Sequence, residues 1–156
     1  MDLFYKIFLN LHSWNRYTIL AGGVAVIFFA VQGLRNKSDY GNAGKKSMYL
    51  YLSGLHFQLV AGLVLYFFAS PVTTQAISDF GAAMKDSTMR YWAVEHAFVN
   101  FIAIAIAQTG SILLKRKTDD KSKHRTALIW TSISLALILL MIPMGMMGIE
   151  RPWFRF

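Results

Sequence analysis

Four long apolar stretches dominate the pattern of hydrophobic and polar positions along this chain. They run over about residues 14–34, 48–69, 91–114 and 126–147, with polar and basic segments between them. A helix that crosses the hydrocarbon core of a bilayer needs roughly 20 apolar residues. We therefore expect an all-α protein, an integral membrane antiparallel four-helix bundle, with a single transmembrane domain over residues 1–156.

The third stretch has one face of small and polar residues. With about 100° of rotation per residue in a helix, that face holds His96, Asn100, Ala103, Ala107 and Gly110. Bulky residues such as Phe98 and Ile102 point to the other side. In lipid, the small and polar face of a helix turns toward other helices. We therefore expect His96 to point into the bundle.

The first stretch has a similar face, with a polar outer end followed by small residues. Its members are His12, Arg16, Ile19, Gly23, Val26, Ala30 and Gly33. His12 can equally be read as part of an interfacial belt with Trp14 and Tyr17. Residues 1–11 are apolar, and we expect them to lie at the outer interface or to extend this helix.

The second stretch marks two faces. Gly54, Gln58 and Gly62 form a stripe for close packing, and His56 lies roughly opposite, near the middle of the membrane. An ionisable residue at that depth is a functional hypothesis by default. After this stretch Pro71 ends the helix, residues 72–89 have room for a short interfacial helix, and Pro143 ends or kinks the fourth helix.

Composition and charge support a membrane protein. The chain is 55% hydrophobic and 15% charged, with a mean hydropathy of +0.40, and it has no cysteine for a disulfide or a thiolate metal site. Ten of its sixteen basic residues lie in the two loops that join the first and last pairs of stretches. By the positive-inside rule both loops are cytoplasmic and both termini extracytoplasmic, in the inner (cytoplasmic) membrane. The net charge of +8 thus reflects topology, and we expect no nucleic-acid partner.

The four histidines fall one in each helix, at different depths. The depth of each histidine follows from its distance to the middle of its stretch, at a helical rise of about 1.5 Å per residue. On this basis His12 and His96 lie roughly 16 and 10 Å to the outer side of the midplane, whereas His56 and His124 lie roughly 3 and 18 Å to the inner side. A haem held between two helices needs an axial imidazole from each at similar depth. We expect one haem b with His12 and His96 as the metal ligands. His56 could replace either ligand, or pair with His124 around a second haem, but the depths favour one haem over two.

Arg16 and Glu95 have nearly the same predicted depth as this pair. A buried ion pair between them would neutralise both charges and fix the register of the helices. Alternatively, Arg16 binds a haem propionate, and Glu95 pairs with Arg90 or carries a proton. We therefore count both Arg16 and Glu95 among the cofactor-binding candidates.

Several short motifs resemble those of a known kind of protein. They are Leu11-His12-Ser13 with Arg16, Leu55-His56 through Tyr66, Trp92-Ala93-Val94-Glu95-His96, His124-Arg125 and Ile142-Pro143. Together they resemble small four-helix membrane proteins of the cytochrome B-like kind and, more distantly, di-haem b-type membrane cytochromes. The resemblance implies haem b ligation by histidines and electron exchange with a quinone.

The expected function is that of a membrane electron carrier. It would exchange electrons with quinone or quinol, or with other membrane subunits of a respiratory complex, as a component of a quinone-linked oxidoreductase. A second interpretation is a non-catalytic structural subunit of a membrane complex, in which these polar residues only hold helices together. A third is a proton-conducting component that uses Glu95, His96 and His56 as relay groups.

Overall fold

A computed structural model describes residues 3–143 and 149 of the chain, and residues 3–143 are helical with short connections. Four long helices are joined by loops and by three short helices. In chain order the helices are α1 Leu3–Asn36, α2 Asn42–Val64, α3 Pro71–Ser78, α4 Phe80–Ala83, α5 Ser87–Arg90, α6 His96–Lys115 and α7 Asp120–Leu140. The chain also contains two π-helical turns. The first π turn, Leu65–Ala69, continues α2, and the second π turn, Tyr91–Glu95, leads into α6.

Three of these helical segments are long and apolar enough to cross a membrane. Within the described residues they are Leu3–Asn36, Asn42–Ala69 and Ser87–Lys115. Helix α7 has 21 residues but begins among charged side chains, and it is not one of the three. The all-helical class predicted from the sequence is confirmed, and bilayer crossing by four helices stays a prediction.

Helix α1 occupies the centre of the packing. It lies along α2 on one side and α7 on the other, and α6 packs along α7, so α2 and α6 have little contact with each other. The core of the bundle contains a buried hydrogen-bonded chain, in which the Tyr51 hydroxyl donates to Ser134 Oγ at 2.8 Å and Ser134 donates to the Ala103 carbonyl at 2.7 Å. Because both hydroxyls are satisfied, this chain joins α2, α7 and α6 without leaving a buried polar group unpaired.

The faces predicted for α1 and α6 are confirmed. On α6, Ala103 and Ala107 are buried, whereas the side chains of Phe98 and Phe101 are 62% and 59% exposed. On α1, Ile19, Val26, Ala30 and Gly33 are buried. The phenylalanines therefore lie on the outside of α6, and the alanines and glycines of both faces lie inside among a few branched residues, as expected for contact with lipid.

The helix boundaries differ from those predicted, for local reasons. Helix α1 already begins at Leu3, so the apolar segment before His12 extends the helix. Helix α7 begins at Asp120 rather than near residue 126, because the Asp119 carboxylate caps it by accepting the Ser122 N–H at 2.8 Å. It ends at Leu140, and residues 141–143 lie outside the helix, as expected just before and at Pro143. Residues 144–147 of the predicted stretch fall outside the described residues.

The connection between α2 and α6 contains three short helices instead of the one predicted. Each has a side-chain cap at its start, namely Ser70 for α3, Asp79 for α4 and Asp86 for α5. The first of them is anchored by Thr73, whose hydroxyl donates to the Tyr66 carbonyl at 2.9 Å. This connection therefore packs against the two π turns, at one end of the bundle.

Candidate functional site

A cavity of about 610 Å³ lies between α1, α2 and α6, at the end of the bundle that carries the connection from α2 to α6. This volume is within the range of ordinary small-molecule pockets. Most of its lining is apolar, and its polar lining includes His12, Ser13, Arg16, Gln58, His96 and Asn100. Among the described residues that line it, Arg16 is the only lysine, arginine, aspartate or glutamate. The cavity therefore combines an apolar interior with one cationic group and two imidazoles.

The two imidazoles of the cavity come from different helices and lie close together. The ring centroids of His12 on α1 and His96 at the start of α6 are 6.3 Å apart, with an angle of 56° between the ring planes. Each ring is partly accessible from the cavity. The fold thus brings together two of the four histidines, from positions 84 residues apart along the chain.

His96 is held by a backbone carbonyl near the end of α7. Its Nδ1–H donates to the Met141 carbonyl oxygen at 3.1 Å, and the Tyr91 hydroxyl donates to the same oxygen at 2.8 Å. Since a carbonyl can only accept, the proton lies on Nδ1 and the Nε2 atom keeps a lone pair. The ring of Trp92 packs against that of His96, with centroids 5.2 Å apart.

His12 is placed by a hydrogen-bonded network between α1 and α2. Its carbonyl oxygen accepts a bond from Gln58 Nε2 at 3.0 Å. The amide of Asn15 donates to Gln58 Oε1 and to the Gly54 carbonyl, both at 2.8 Å. The Nδ1 atom of His12 is buried and has no hydrogen-bond partner among the described residues. The backbone of His12 is thus fixed, while one of its ring nitrogens is left for another group.

Both π turns border the cavity. Tyr66 in the first π turn donates its hydroxyl proton to the carbonyl of Ala93 in the second, at 2.7 Å. These turns are rare and occur frequently at functional sites. They end the regular part of α2 and precede the regular part of α6, so they determine the direction in which the neighbouring side chains point.

Of the two ion pairs considered for Glu95, the structure has the one with Arg90 and not the one with Arg16. Glu95 Oε1 instead accepts a bond from Arg90 Nε at 2.8 Å, and Glu95 is not among the residues that line the cavity. The second π turn explains this choice, because its i to i+5 spacing stacks Arg90 and Glu95 on one side of the chain. Arg16 lines the cavity, and its Nη2 donates to the Tyr17 hydroxyl at 3.1 Å.

The other two histidines lie elsewhere. His56 is on the exposed side of α2. His124 lies at the opposite end of the bundle, where it is 3% exposed and its Nε2–H donates to the Ser38 carbonyl at 3.1 Å. Neither residue lines the cavity, and the described part of the chain has no group of three or more histidine, aspartate or glutamate side chains that could hold a metal ion. The alternative ligands proposed from the sequence are therefore not adjacent to the His12–His96 pair.

Several residues of the site were not singled out from the sequence. Asn15 lies one helical turn after His12, and its polarity within an apolar stretch was the available signal. Gln58 was read as part of a packing stripe, yet it lines the cavity and bonds to the backbone of His12. Tyr91 and the carbonyl of Met141 carried no signal, because a backbone oxygen is present at every position.

Comparisons with known proteins do not assign the chain to a family. No protein-family model, no curated protein and no solved structure matches it.

Proposed function

We propose that this protein is a membrane electron carrier that binds haem b between His12 and His96. The observation that carries the proposal is the 6.3 Å separation of the two imidazole centroids across a cavity. Two bonds from imidazole nitrogens to a metal, of about 2 Å each, account for about 4 Å of such a separation. The rest corresponds to the distance from each ring nitrogen to the centre of its ring. His12 and His96 are therefore close enough that together they would hold one iron.

The hydrogen bond of the His96 ring and the unpaired nitrogen of the His12 ring are both compatible with this role. Ligating histidines usually donate their other ring N–H to a carbonyl or a carboxylate, which fixes the tautomer and the orientation of the ring. His96 has this arrangement, with Nδ1–H on the Met141 carbonyl and Nε2 left to coordinate. His12 has a buried ring nitrogen without a partner among the described residues, which is costly unless a bound group satisfies the ring.

The remaining lining fits a large, flat and partly anionic cofactor. The apolar walls would enclose the macrocycle, and Gly62 leaves room beside the His12 ring. Arg16 lines the cavity and supplies a positive charge for a propionate. When bound, the haem supplies one-electron redox chemistry. The protein residues hold it, exclude water and tune it through burial and the charge of Arg16.

The redox partner that we propose is a quinone or quinol that diffuses in the membrane. Phe67 and Phe98 line the cavity, and they are 55% and 62% exposed on the outside of the bundle. The cavity thus reaches the apolar surface between the end of α2 and α6, where these helices have little contact. A lipid-soluble partner could approach the site there, and another respiratory subunit could dock on the same surface. We place the protein in the inner membrane, with the basic loops in the cytoplasm and both termini outside.

The proton-relay alternative has less support. Glu95 is engaged by Arg90 outside the cavity, and His56 lies on the exposed side of α2. His96 is therefore the only one of the three proposed relay groups that lines the cavity. A non-catalytic structural subunit remains the second candidate, because the Asn15–Gln58 network by itself explains a firm contact between α1 and α2.

A reduced-minus-oxidised visible spectrum of the purified protein tests the proposal. Protein produced in haem-replete cells should show a b-type α band that is lost in His12→Ala and in His96→Ala. His56→Ala and His124→Ala are the matched controls, and they should keep the band. A colourless wild-type preparation that is stably folded would instead favour the structural subunit. A band that survives in both His12→Ala and His96→Ala would reject these two residues as ligands.

A further inference from the structure

We propose that Tyr91 is a positioning residue that sets the redox potential of the site by sharing one hydrogen-bond acceptor with His96. This inference rests on the proposed haem ligation by His96. The acceptor is the Met141 carbonyl oxygen, which accepts the Tyr91 hydroxyl at 2.8 Å and His96 Nδ1–H at 3.1 Å. The sequence pattern that marks His96 does not mark Tyr91.

The position of the shared oxygen explains why it is available. Helix α7 ends at Leu140, and Met141 uses its own N–H to bond back to the carbonyl of Ile138 at 3.0 Å. The last carbonyls of a helix have no partner within the helix and must find one elsewhere. Tyr91 is the first residue of the second π turn and His96 is the first residue of α6. Each of them supplies one hydrogen-bond donor to the Met141 carbonyl.

Tyr91 is built into this position. Its side chain is 2% exposed, its ring packs against that of His96 at 5.7 Å between centroids, and it contacts the ring of Trp92 at 4.8 Å. Its hydroxyl therefore cannot turn to water, and the Met141 oxygen is the hydrogen-bond partner recorded for it. The tyrosine thus holds the oxygen against the ring that we propose to coordinate the iron.

The two donors compete for electron density on one oxygen. When the partner of a ligating histidine accepts strongly from Nδ1–H, the imidazole becomes more basic and donates more charge to its metal. Bonding by the Tyr91 hydroxyl draws charge from the oxygen and weakens its hold on Nδ1–H. The imidazole then donates less charge, which favours the reduced iron. Tyr91 therefore raises the midpoint potential above the value that His96 and a lone carbonyl would give.

The test compares the midpoint potentials of two tyrosine-to-phenylalanine variants in redox titrations. In Tyr91→Phe the competing donor is lost while the ring remains, so the potential should fall below that of the wild type at unchanged haem content. Tyr40→Phe is the control, because Tyr40 is also a buried tyrosine whose hydroxyl donates to a backbone carbonyl, that of Gly44 at 3.1 Å. Tyr40 lies at the other end of the bundle, so the midpoint potential of Tyr40→Phe should equal that of the wild type.

A second variant tests the opposite direction without removing the hydroxyl. Incorporation of 3-fluorotyrosine at position 91 makes the hydroxyl a stronger donor, so the potential should rise. This variant keeps the hydrogen bond, so it remains informative even if Tyr91→Phe does not fold. If the role of Tyr91 is only structural, Tyr91→Phe should change the unfolding temperature, and the midpoint potential should be unchanged in both variants.

The outcomes separate this inference from the proposed function. The midpoint potential of the Tyr91 variants could stay unchanged or shift in the opposite direction while His96→Ala still loses haem. That result would overturn the role of Tyr91 but leave the proposed haem site intact. A wild-type protein without haem, or one that keeps its haem in His96→Ala, would overturn the proposed ligation itself.

Discussion

The imidazole of His124 lies directly against Gly33, so that α1 and α7 approach each other closely at the end of the bundle opposite the cavity. The ring is also bonded to the Ser38 carbonyl and packs edge-on against Tyr40, with centroids 5.1 Å apart. Burial raises the pKa of Tyr40 to about 12, so its hydroxyl stays neutral and donates to Gly44. These contacts give His124 a structural role in clamping the first loop onto α7.

Gly33→Ala should destabilise the protein without affecting the cavity. The added methyl group would overlap the His124 ring, and overpacking of this kind typically costs about 1–3 kcal/mol. Denaturant unfolding in detergent micelles measures this loss of unfolding free energy, and the visible α band of the haem is recorded in parallel. Gly41→Ala is the control, because its added carbon would meet only the Asp39 carbonyl oxygen at 3.9 Å. Loss of the α band at unchanged stability would place His124 in the cofactor site after all.

Gln58→Leu should weaken both the contact between α1 and α2 and the placement of His12. It removes one of the two acceptors of the Asn15 amide and the side-chain donor to the His12 carbonyl, and a lost hydrogen bond typically costs about 0.5–1.5 kcal/mol. We expect a lower unfolding midpoint together with reduced haem retention. Ser53→Ala is a control on the same helix, because Ser53 is exposed and its hydroxyl bonds only to the nearby Leu50 carbonyl. Equal effects of the two substitutions would argue against a special role for the network.

Gly62→Ala should disturb the His12 ring directly. A carbon atom added at Gly62 would lie 3.3 Å from His12 Cε1, closer than an ordinary contact, so the ring would have to move by a few tenths of an ångström. The expected result is a lower haem-to-protein ratio in the purified variant at nearly unchanged helix content by circular dichroism. Gly81→Ala, whose added carbon would meet only Asp79 Oδ1 at 3.8 Å, should retain the wild-type ratio.

Arg16→Gln and Arg90→Gln should differ in their effect on the redox potential. A positive charge near the iron disfavours its oxidised state, so the loss of Arg16 from the cavity lining should lower the midpoint potential. The Arg90–Glu95 pair is more than one third exposed on both sides, and pairs of this kind contribute about 0–1 kcal/mol, so Arg90→Gln should change stability and potential little. A larger shift in Arg90→Gln than in Arg16→Gln would mean that Arg16 does not face the cofactor.

Single-cysteine labelling can test the proposed topology. The chain has no cysteine, so Ser38→Cys and Ser78→Cys each introduce a unique thiol on an exposed residue of opposite connections. A membrane-impermeant thiol reagent should label Ser78→Cys in intact cells and Ser38→Cys only after the membrane is permeabilised, because the basic loops are predicted to be cytoplasmic. The reverse pattern would invert the topology, and with it the outer position of the cavity.

Much of the fold could be predicted from the sequence because its causes are local. The burial of Ala103 and the exposure of Phe98 follow from their positions around one helix, and the sequence alone placed them correctly. The interruption at Pro71 follows from the chemistry of one residue. Hydropathy and helical period are properties of neighbouring residues, so no knowledge of the remaining chain is needed. Helix α7 begins before its apolar stretch because its cap, Asp119, lies outside the apolar pattern.

The tertiary structure decided which of the polar residues meet. Sequence reasoning left His56 and His124 as alternatives to His12 and His96, and only the rotations of the packed helices direct the latter two into one cavity. Glu95 pairs with Arg90 because a π turn aligns them, and His96 shares the carbonyl of Met141 with Tyr91 because the end of α7 lies beside the start of α6. Such contacts depend on the angles and register between segments far apart in the chain, which no local pattern of residues encodes.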